Sequence, residues 1–287
     1  MSTVTLTLNQ KQIDLLHALY KEDESKAVHN AYIVHQYRPM DCVITLYTSN
    51  KAVFQGNSAE EYAAPFALYE SDDELFEEHA GSDEVGTGDV FGPVCVCAAI
   101  VHKDDAAFLK KLGVRDSKKM SDEEILKTAP QITEKVCYSL LILNNRKYNE
   151  VIQTNNLNEI KAKMHNQAYL NLEKKEKLPD KIVIDQFCEK STYYRYLRYT
   201  EEVVTDIYFT PRAEDQYLAV ACGAIISRYA FLKTLESMEN EYDFHFHKGA
   251  GSLVDEDIRR FISQHSKEAL KNVAKMNFKN IQTAIRE

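Results

Sequence analysis

Residues 80–93 read Ala-Gly-Ser-Asp-Glu-Val-Gly-Thr-Gly-Asp-Val-Phe-Gly-Pro and lead directly into Val94–Val101, the most apolar segment of the chain. A near-continuous apolar run of this length after a turn-rich stretch reads as a buried strand. Asp83 and Glu84 stand just before it, although carboxylates are rarely buried without a partner. Gly86 and Gly88 occupy positions where β-branched residues would make a better strand, and glycine inside a strand often marks close approach of a ligand or of another backbone. Carboxylates beside bare backbone suit a divalent cation and a phosphate-bearing polymer. A tight turn feeding a core strand, with the acids solvated at its edge, accounts for the same residues.

A chain of 287 residues holds one large domain or two of ordinary size. Apolar content of 44% and charged content of 28% are those of a soluble globular protein. No N-terminal apolar run resembles a signal peptide, and Val94–Val101 is too short to span a bilayer, so no membrane contact is expected; a cytoplasmic location and a monomer are the further expectations. The six cysteines (Cys42, Cys95, Cys97, Cys137, Cys188 and Cys222) show neither zinc-type pairing nor a disulfide framework. Cys95 and Cys97, two apart, share one face of a strand, and all six read as reduced thiols. The net charge of −9 does not itself point to nucleic acid. An acidic total can still hide a basic face, and a metal-dependent nuclease carries acids at its site.

Residues 1–38 read as a short strand at residues 4–7 and a helix with Ile13, Leu15, Leu16 and Leu19 as its apolar stripe. Residues 42–48 alternate, with Ile44 and Leu46 facing one way and Val43 and Tyr47 the other. After the turn Ser49-Asn50-Lys51, residues 52–56 return as the second strand of a hairpin. Residues 57–69 look helical, with Asn57 or Ser58 as cap and Glu60 and Glu61 in the first turn. The acidic run at residues 71–80 reads as a linker, placing a boundary between residues 1–70 and residues 81–287. Beyond it, strands are expected at residues 82–90, 94–101, 136–143, 181–185 and 203–209. Helices are expected at residues 104–112, 155–175, 254–265 and 267–275. Lys118 and Lys119 precede a helix that Ser121 caps, with Glu124 at capping-box spacing. Lysines at a helix N-terminus suit a phosphate. In the helix at residues 155–175, Asn158, Lys161, His165 and Asn166 form a polar stripe; His165 reads as a surface group outside the catalytic set. Asp185 ends a β-branched run, which puts a carboxylate at the C-terminal end of a strand, where sites form in open α/β sheets.

Gly-Ser-Asp-Glu-Val-Gly-Thr-Gly-Asp with Phe-Gly-Pro resembles the opening motif of bacterial ribonuclease HIII, a type 2 ribonuclease H. Asp-Ser-Lys-Lys at residues 116–119, the Lys-Ala-Lys-Met-His-Asn run, Asp-Gln-Phe at residues 185–187 and Lys-Gly-Ala-Gly at residues 248–251 follow in the family's order. The resemblance implies a ribonuclease H-like mixed sheet covered by helices, in an α/β fold. It also implies a small α+β N-terminal domain like half of a TATA-box-binding protein. Asp83, Glu84, Asp185 and Glu214 would be the catalytic acids and metal ligands, with Asp215 as the fallback for Glu214. The family usually reads Thr-Lys-Ala-Glu at the last site; here Pro211 replaces the threonine and Arg212 the lysine. Carboxylates about 4 Å apart repel by roughly 4 kcal/mol at an effective dielectric of about 20, so four acids together would require cations, Mg²⁺ or Mn²⁺ in a two-metal site. The expected activity is hydrolysis of RNA in RNA/DNA hybrids, leaving 5′-phosphate and 3′-hydroxyl ends. Gly86, Thr87 and Gly88 would meet the minor groove and its 2′-hydroxyls, and Lys118, Lys119 and Arg212 would hold phosphates. Three alternatives stand beside this. Ribonuclease HII-like cutting at single ribonucleotides is opposed by Thr87, where that family usually has arginine, and by the N-terminal domain. A non-catalytic hybrid-binding protein would be expected to lack a metal ligand. A small-molecule phosphohydrolase would need a nucleotide-sized pocket.

Overall fold

A computed structural model describes residues 2–25, 31–67, 76–114 and 117–286. Asp116 of the Asp-Ser-Lys-Lys run and residues 71–75 of the acidic stretch lie outside the described residues. The chain divides into two compact units, Met1–Phe76 and Glu77–Glu287.

The first unit is α+β. Its elements are β1 (Ser2–Thr7), α1 (Gln10–Tyr20), β2 (Ile33–Tyr37), β3 (Cys42–Tyr47), β4 (Lys51–Gly56) and α2 (Ala59–Ala67). The strands pair antiparallel in the order β1-β4-β3-β2. Asn9 starts α1 through a reciprocal cap: its side chain accepts from Gln12 N, and its own N–H donates to Gln12 Oε1, both at 2.8 Å. Leu16, Ile44, Leu46, Phe54 and Phe66 are buried together, as the alternation in β3 requires. Leu19, expected in the apolar stripe, is 52% exposed instead. Ser58 does not cap α2 with its side chain; its hydroxyl donates to Asp41 at 2.6 Å. β2 was not legible, because its residues neither alternate nor form an apolar run.

The second unit contains β5 (His79–Val85), β6 (Val94–Val101), α3 (Lys103–Lys111), α4 (Asp122–Lys135), β7 (Cys137–Leu143), α5 (Asn145–Val151), α6 (Leu157–Glu173), β8 (Lys181–Asp185), α7 (Lys190–Tyr196), β9 (Ile207–Thr210), α8 (Leu218–Tyr242), α9 (Ser252–Gln264), α10 (Leu270–Val273) and α11 (Lys279–Arg286). The sheet order is β7-β6-β5-β8-β9, antiparallel on the β6–β7 side and parallel through β8 and β9. This is the expected mixed sheet covered by helices. β6 is fully buried. α6 packs with Val96, Ala98 and Ile100, whereas α8 lies against the opposite face. A Cβ on Gly223 of α8 would meet Cys97 O at 2.7 Å and Asp83 N at 3.3 Å, so glycine there lets α8 lie close against β5 and β6. The 25-residue α8 is long and apolar enough to cross a membrane, which the expectation drawn from Val94–Val101 overlooked. Most of that stretch is packed inside the unit, against β5 and β6.

Several boundaries move. β5 begins at His79, inside the stretch read as linker, because His79 and Ala80 pair with Val101 and Ile100. It ends at Val85 rather than continuing to residue 90, because Gly86 turns the chain at φ 93°. A Cβ on Gly86 would lie 2.1 Å from Pro93 O, so only glycine fits. The strand expected at residues 203–209 shortens to β9, and the helix at residues 267–275 to α10. Ser121 caps α4 with Glu124 as the spacing predicted, at 3.2 and 2.7 Å.

Candidate active site

Strand register brings the acids together. Ser82 pairs with Ile184 across parallel β5 and β8, so Asp83 and Asp185 each lie one residue further on. Asp185 pairs with Thr210 at the end of β9. The chain then turns through Arg212 in the left-handed region (φ 55°) into a 3-10 turn, Ala213–Asp215. Ala213 N donates to Asp185 Oδ1 at 3.1 Å, fixing the turn that presents Glu214. Asp83, Asp185 and Glu214 each offer a carboxylate oxygen, and the three atoms lie within 4.8 Å of one another.

Burial, and next the charge of Glu84, push Asp83 well above the usual carboxylate range. Asp185 is also raised, chiefly by burial and then by Glu214, while the Ala213 N–H opposes the shift. Glu214 is 5% exposed, and its Oε2 is buried without a hydrogen-bond partner among the described residues. An unpartnered buried oxygen in a cluster of three acids is a deficit of positive charge. An all-oxygen donor set of this kind fits Mg²⁺ or Mn²⁺.

Glu84 is not brought into this trio. Successive side chains of a strand point to opposite faces, and Glu84 faces α6. Lys161 Nζ donates to its Oε1 at 2.7 Å, and His165 Nε2 lies 2.9 Å from its Oε2. Burial alone would raise Glu84, but His165 and Lys161 outweigh it and hold the carboxyl at about 2. His165 Nδ1 also meets Ser82 Oγ at 2.8 Å, and the ring stacks on Phe187. The Lys161 ammonium sits 4.0 Å from the centre of the same Phe187 ring. The polar stripe on α6 is therefore buried rather than solvated, and His165 is not a surface residue. Its pattern was visible in the sequence; the inward direction was not.

The comparisons with known proteins agree with this geometry. The family model described as "Ribonuclease HII" matches residues 80–281, and one described as a domain of unknown function (DUF3378) matches residues 3–75. A ribonuclease HIII of Lactococcus lactis is 38% identical, with 99% of this chain and 98% of the relative aligned. A ribonuclease HIII of Bacillus licheniformis is 36% identical over 100% of this chain and 98% of its own. The chain belongs to the ribonuclease HIII family. By that membership it is an enzyme of the metal-dependent ribonuclease H class. The crystal structure of Bst-RNase HIII in complex with Mn²⁺ superposes with a TM-score of 0.75 at 32% identity, covering 99% of this chain and 98% of that one.

The remaining residues expected from the ribonuclease HIII resemblance fall as follows. Gly86 is buried and turns the chain, Thr87 is half-buried, and Gly88 is exposed with open space where a Cβ would be. Lys118 Nζ lies 2.7 Å from Glu214 Oε1, which raises its pKa and supplies one positive charge to the acids. Lys119 pairs with Asp215 at 2.7 Å, so the two adjacent acids, Glu214 and Asp215, bind different lysines. Arg212 is exposed. Arg228 of α8 escaped the sequence reading. It donates to Ser117 O, to Met120 O at 2.8 Å and to Asp122 Oδ1 at 2.7 Å, anchoring the loop that carries both lysines. An arginine at the end of a small-residue helical run gives no signal of that role.

Proposed function

We propose that the chain hydrolyses the RNA strand of RNA/DNA hybrids with two divalent cations, Mg²⁺ or Mn²⁺, leaving 5′-phosphate and 3′-hydroxyl ends. The observation that carries this reading is the trio Asp83, Asp185 and Glu214, converging within 4.8 Å on one end of the sheet in a chain of this family. When bound, the cations supply an activated water and neutralise charge that develops on the phosphoryl group and the leaving oxygen. The trio would hold one cation. Glu84 would add a fourth carboxylate from outside the trio: its charge already bears on Asp83 and Asp185, and of about four lone-pair directions on a carboxylate Lys161 and His165 take only two. Those two partners keep Glu84 ionised and fix its orientation. Lys118 and Lys119, on the loop held by Arg228, would position backbone phosphates together with Arg212. The exposed backbone at Gly88 would approach the minor groove, where a 2′-hydroxyl identifies the RNA strand. Breaking the bond between phosphorus and O3′ leaves the phosphate on the 5′ side of the downstream fragment.

A phosphohydrolase of small molecules called for a pocket at the acids. One cavity of 720 Å³, lined by Arg146, Asn149 and Lys271, includes none of the acids in its lining. The deciding experiment compares a uniform RNA/DNA hybrid with a DNA duplex carrying one ribonucleotide, each with Mg²⁺ and with Mn²⁺. Cleavage of the uniform hybrid with end groups as stated supports the reading. Cutting confined to the single ribonucleotide moves the chain to ribonuclease HII-like activity, and hybrid binding without cleavage makes it a binding protein.

A further inference from the structure

A second set of ligating side chains lies in the N-terminal unit, separate from the acids. His17 on α1, Glu24 after the 3-10 turn Lys21–Asp23, and His35 on β2 each place one ligand atom within 4.8 Å of the other two. All three are half-buried. The fold uses distinct devices to bring them together. Ser25 N donates to Gln36 O at 2.8 Å, Arg38 N donates to Asp23 O at 2.9 Å, and Glu24 bridges to Tyr37, so the chain after α1 runs along the outer edge of β2. β2 in turn shifts register against β3 between Ile33 and His35, an irregularity of the kind that re-aims a side chain.

His35 Nδ1 is 2.6 Å from Glu24 Oε1, and the His17 and His35 rings have centroids 5.1 Å apart. The half-exposed contact between His35 and Glu24 is too weak by itself to hold the segment and requires no second imidazole. Two imidazoles and a carboxylate are the donor set of zinc sites that use three protein ligands. Imidazole nitrogen favours the zinc class of cations over Mg²⁺. The hydroxyl of buried Tyr37 lies 3.2 Å from His17 Nδ1. Donation from His17 Nδ1 to that hydroxyl would be the outer contact that fixes the tautomer of a ligating ring and leaves Nε2 for the metal. We propose that His17, Glu24 and His35 bind one zinc-class divalent cation, with solvent in the fourth position, clasping α1 to the edge strand β2.

The test uses the full-length chain stripped of metal, with excess Mg²⁺ added to occupy carboxylate sites and Zn²⁺ as the probe. Calorimetric titration should show one Zn²⁺ per chain. His17→Ala, Glu24→Gln and His35→Ala should each weaken uptake by about 100-fold, and Tyr37→Phe by about tenfold. Co²⁺ in place of Zn²⁺ should give the visible bands of a four-coordinate nitrogen-bearing site in the wild type and none in Glu24→Gln, the variant closest in shape. Circular dichroism confirms that each variant is folded; if an alanine variant unfolds, Glu24→Gln and the Co²⁺ spectrum decide alone. Absence of Zn²⁺ uptake by the wild type, or undiminished uptake by the folded variants, overturns the proposal.

Discussion

Alternation along β5 turns Asp83 and Glu84 to opposite faces, and the two acids meet opposite electrostatics. Glu84 finds a lysine and a histidine; Asp83 finds two more acids. An acid whose pKa is raised by folding costs stability once pH exceeds its unfolded value of 3.8, and the cost levels off above the folded value. At neutral pH without metal, Asp83→Asn should therefore raise the Tm while abolishing cleavage. The shift should be about 2–4 °C for each kcal/mol relieved. Asn keeps the oxygen that accepts from Glu84 N at 2.7 Å, so the local geometry survives. Thermal melts with and without Mg²⁺ check both halves: a variant that is still stabilised by Mg²⁺ as the wild type is, or still turns over, would take Asp83 out of the ligand set. The neighbouring pair is separated in the same way. Glu214→Gln should cost at least about 100-fold in turnover, beyond the 10–100-fold typical of groups around a ligand. Asp215→Asn should cost less than about tenfold, since it loses only an exposed pair with Lys119. Steady-state rates on a hybrid would reverse the assignment if the ranking is opposite.

At the scale of elements, the site depends on how closely helices and loops are held to the sheet. The loop after β5 is pinned by a lysine from the C-terminal segment: Lys275 is fully buried and donates to Asp89 O at 2.8 Å and Gly92 O at 2.5 Å. Burial lowers its pKa from 10.5 to about 8. A lysine lowered by folding carries its full penalty below the folded pKa, and the penalty fades as pH rises to the unfolded value. Stability of the wild type relative to Lys275→Met should thus rise by about 3 kcal/mol between pH 8 and 10.5. Urea denaturation at both ends of that range measures it, and a difference that does not change with pH would mean Lys275 carries no buried charge. Much of this level was legible from local chemistry. The apolar run at β6, the β-branched run ending in Asp185 and the Ser121 cap each reflect an interaction confined to a few residues. The α6 stripe misled because helical periodicity reports that polar residues share a face and not whether a buried acid waits opposite. β2 and the anchoring role of Arg228 depend on partners 9 to 111 residues away, which no local pattern encodes.

For the molecule as a whole, the distribution of charge sets what each unit can contribute to binding a polyanion. Residues 1–76 hold five Lys and Arg against eleven Asp and Glu, more acidic than a nucleic-acid clamp is expected to be. Their sheet nevertheless presents a face without the core helices. Thr3 and Gln55 pair across β1 and β4 and are exposed, and Gln55 aligns with half-buried Val43 of β3. Hydroxyl and amide groups of this kind bind sugars and phosphates without adding charge. If this unit grips the hybrid, its contribution should be large in affinity and small in salt dependence. Each phosphate neutralised adds about 0.9 to the slope of log K against log salt, so five cations bound the unit's share at about 4.5. Deleting residues 1–76 should weaken hybrid binding at every salt concentration and flatten the slope by no more than that bound. Cleavage should return in part at high substrate concentration, because Asp83, Asp185 and Glu214 all lie in the second unit. Hybrid affinity measured from about 50 to 200 mM salt for the intact and shortened chains decides the matter. Equal affinities and equal slopes would assign the N-terminal unit to a protein partner instead of the hybrid.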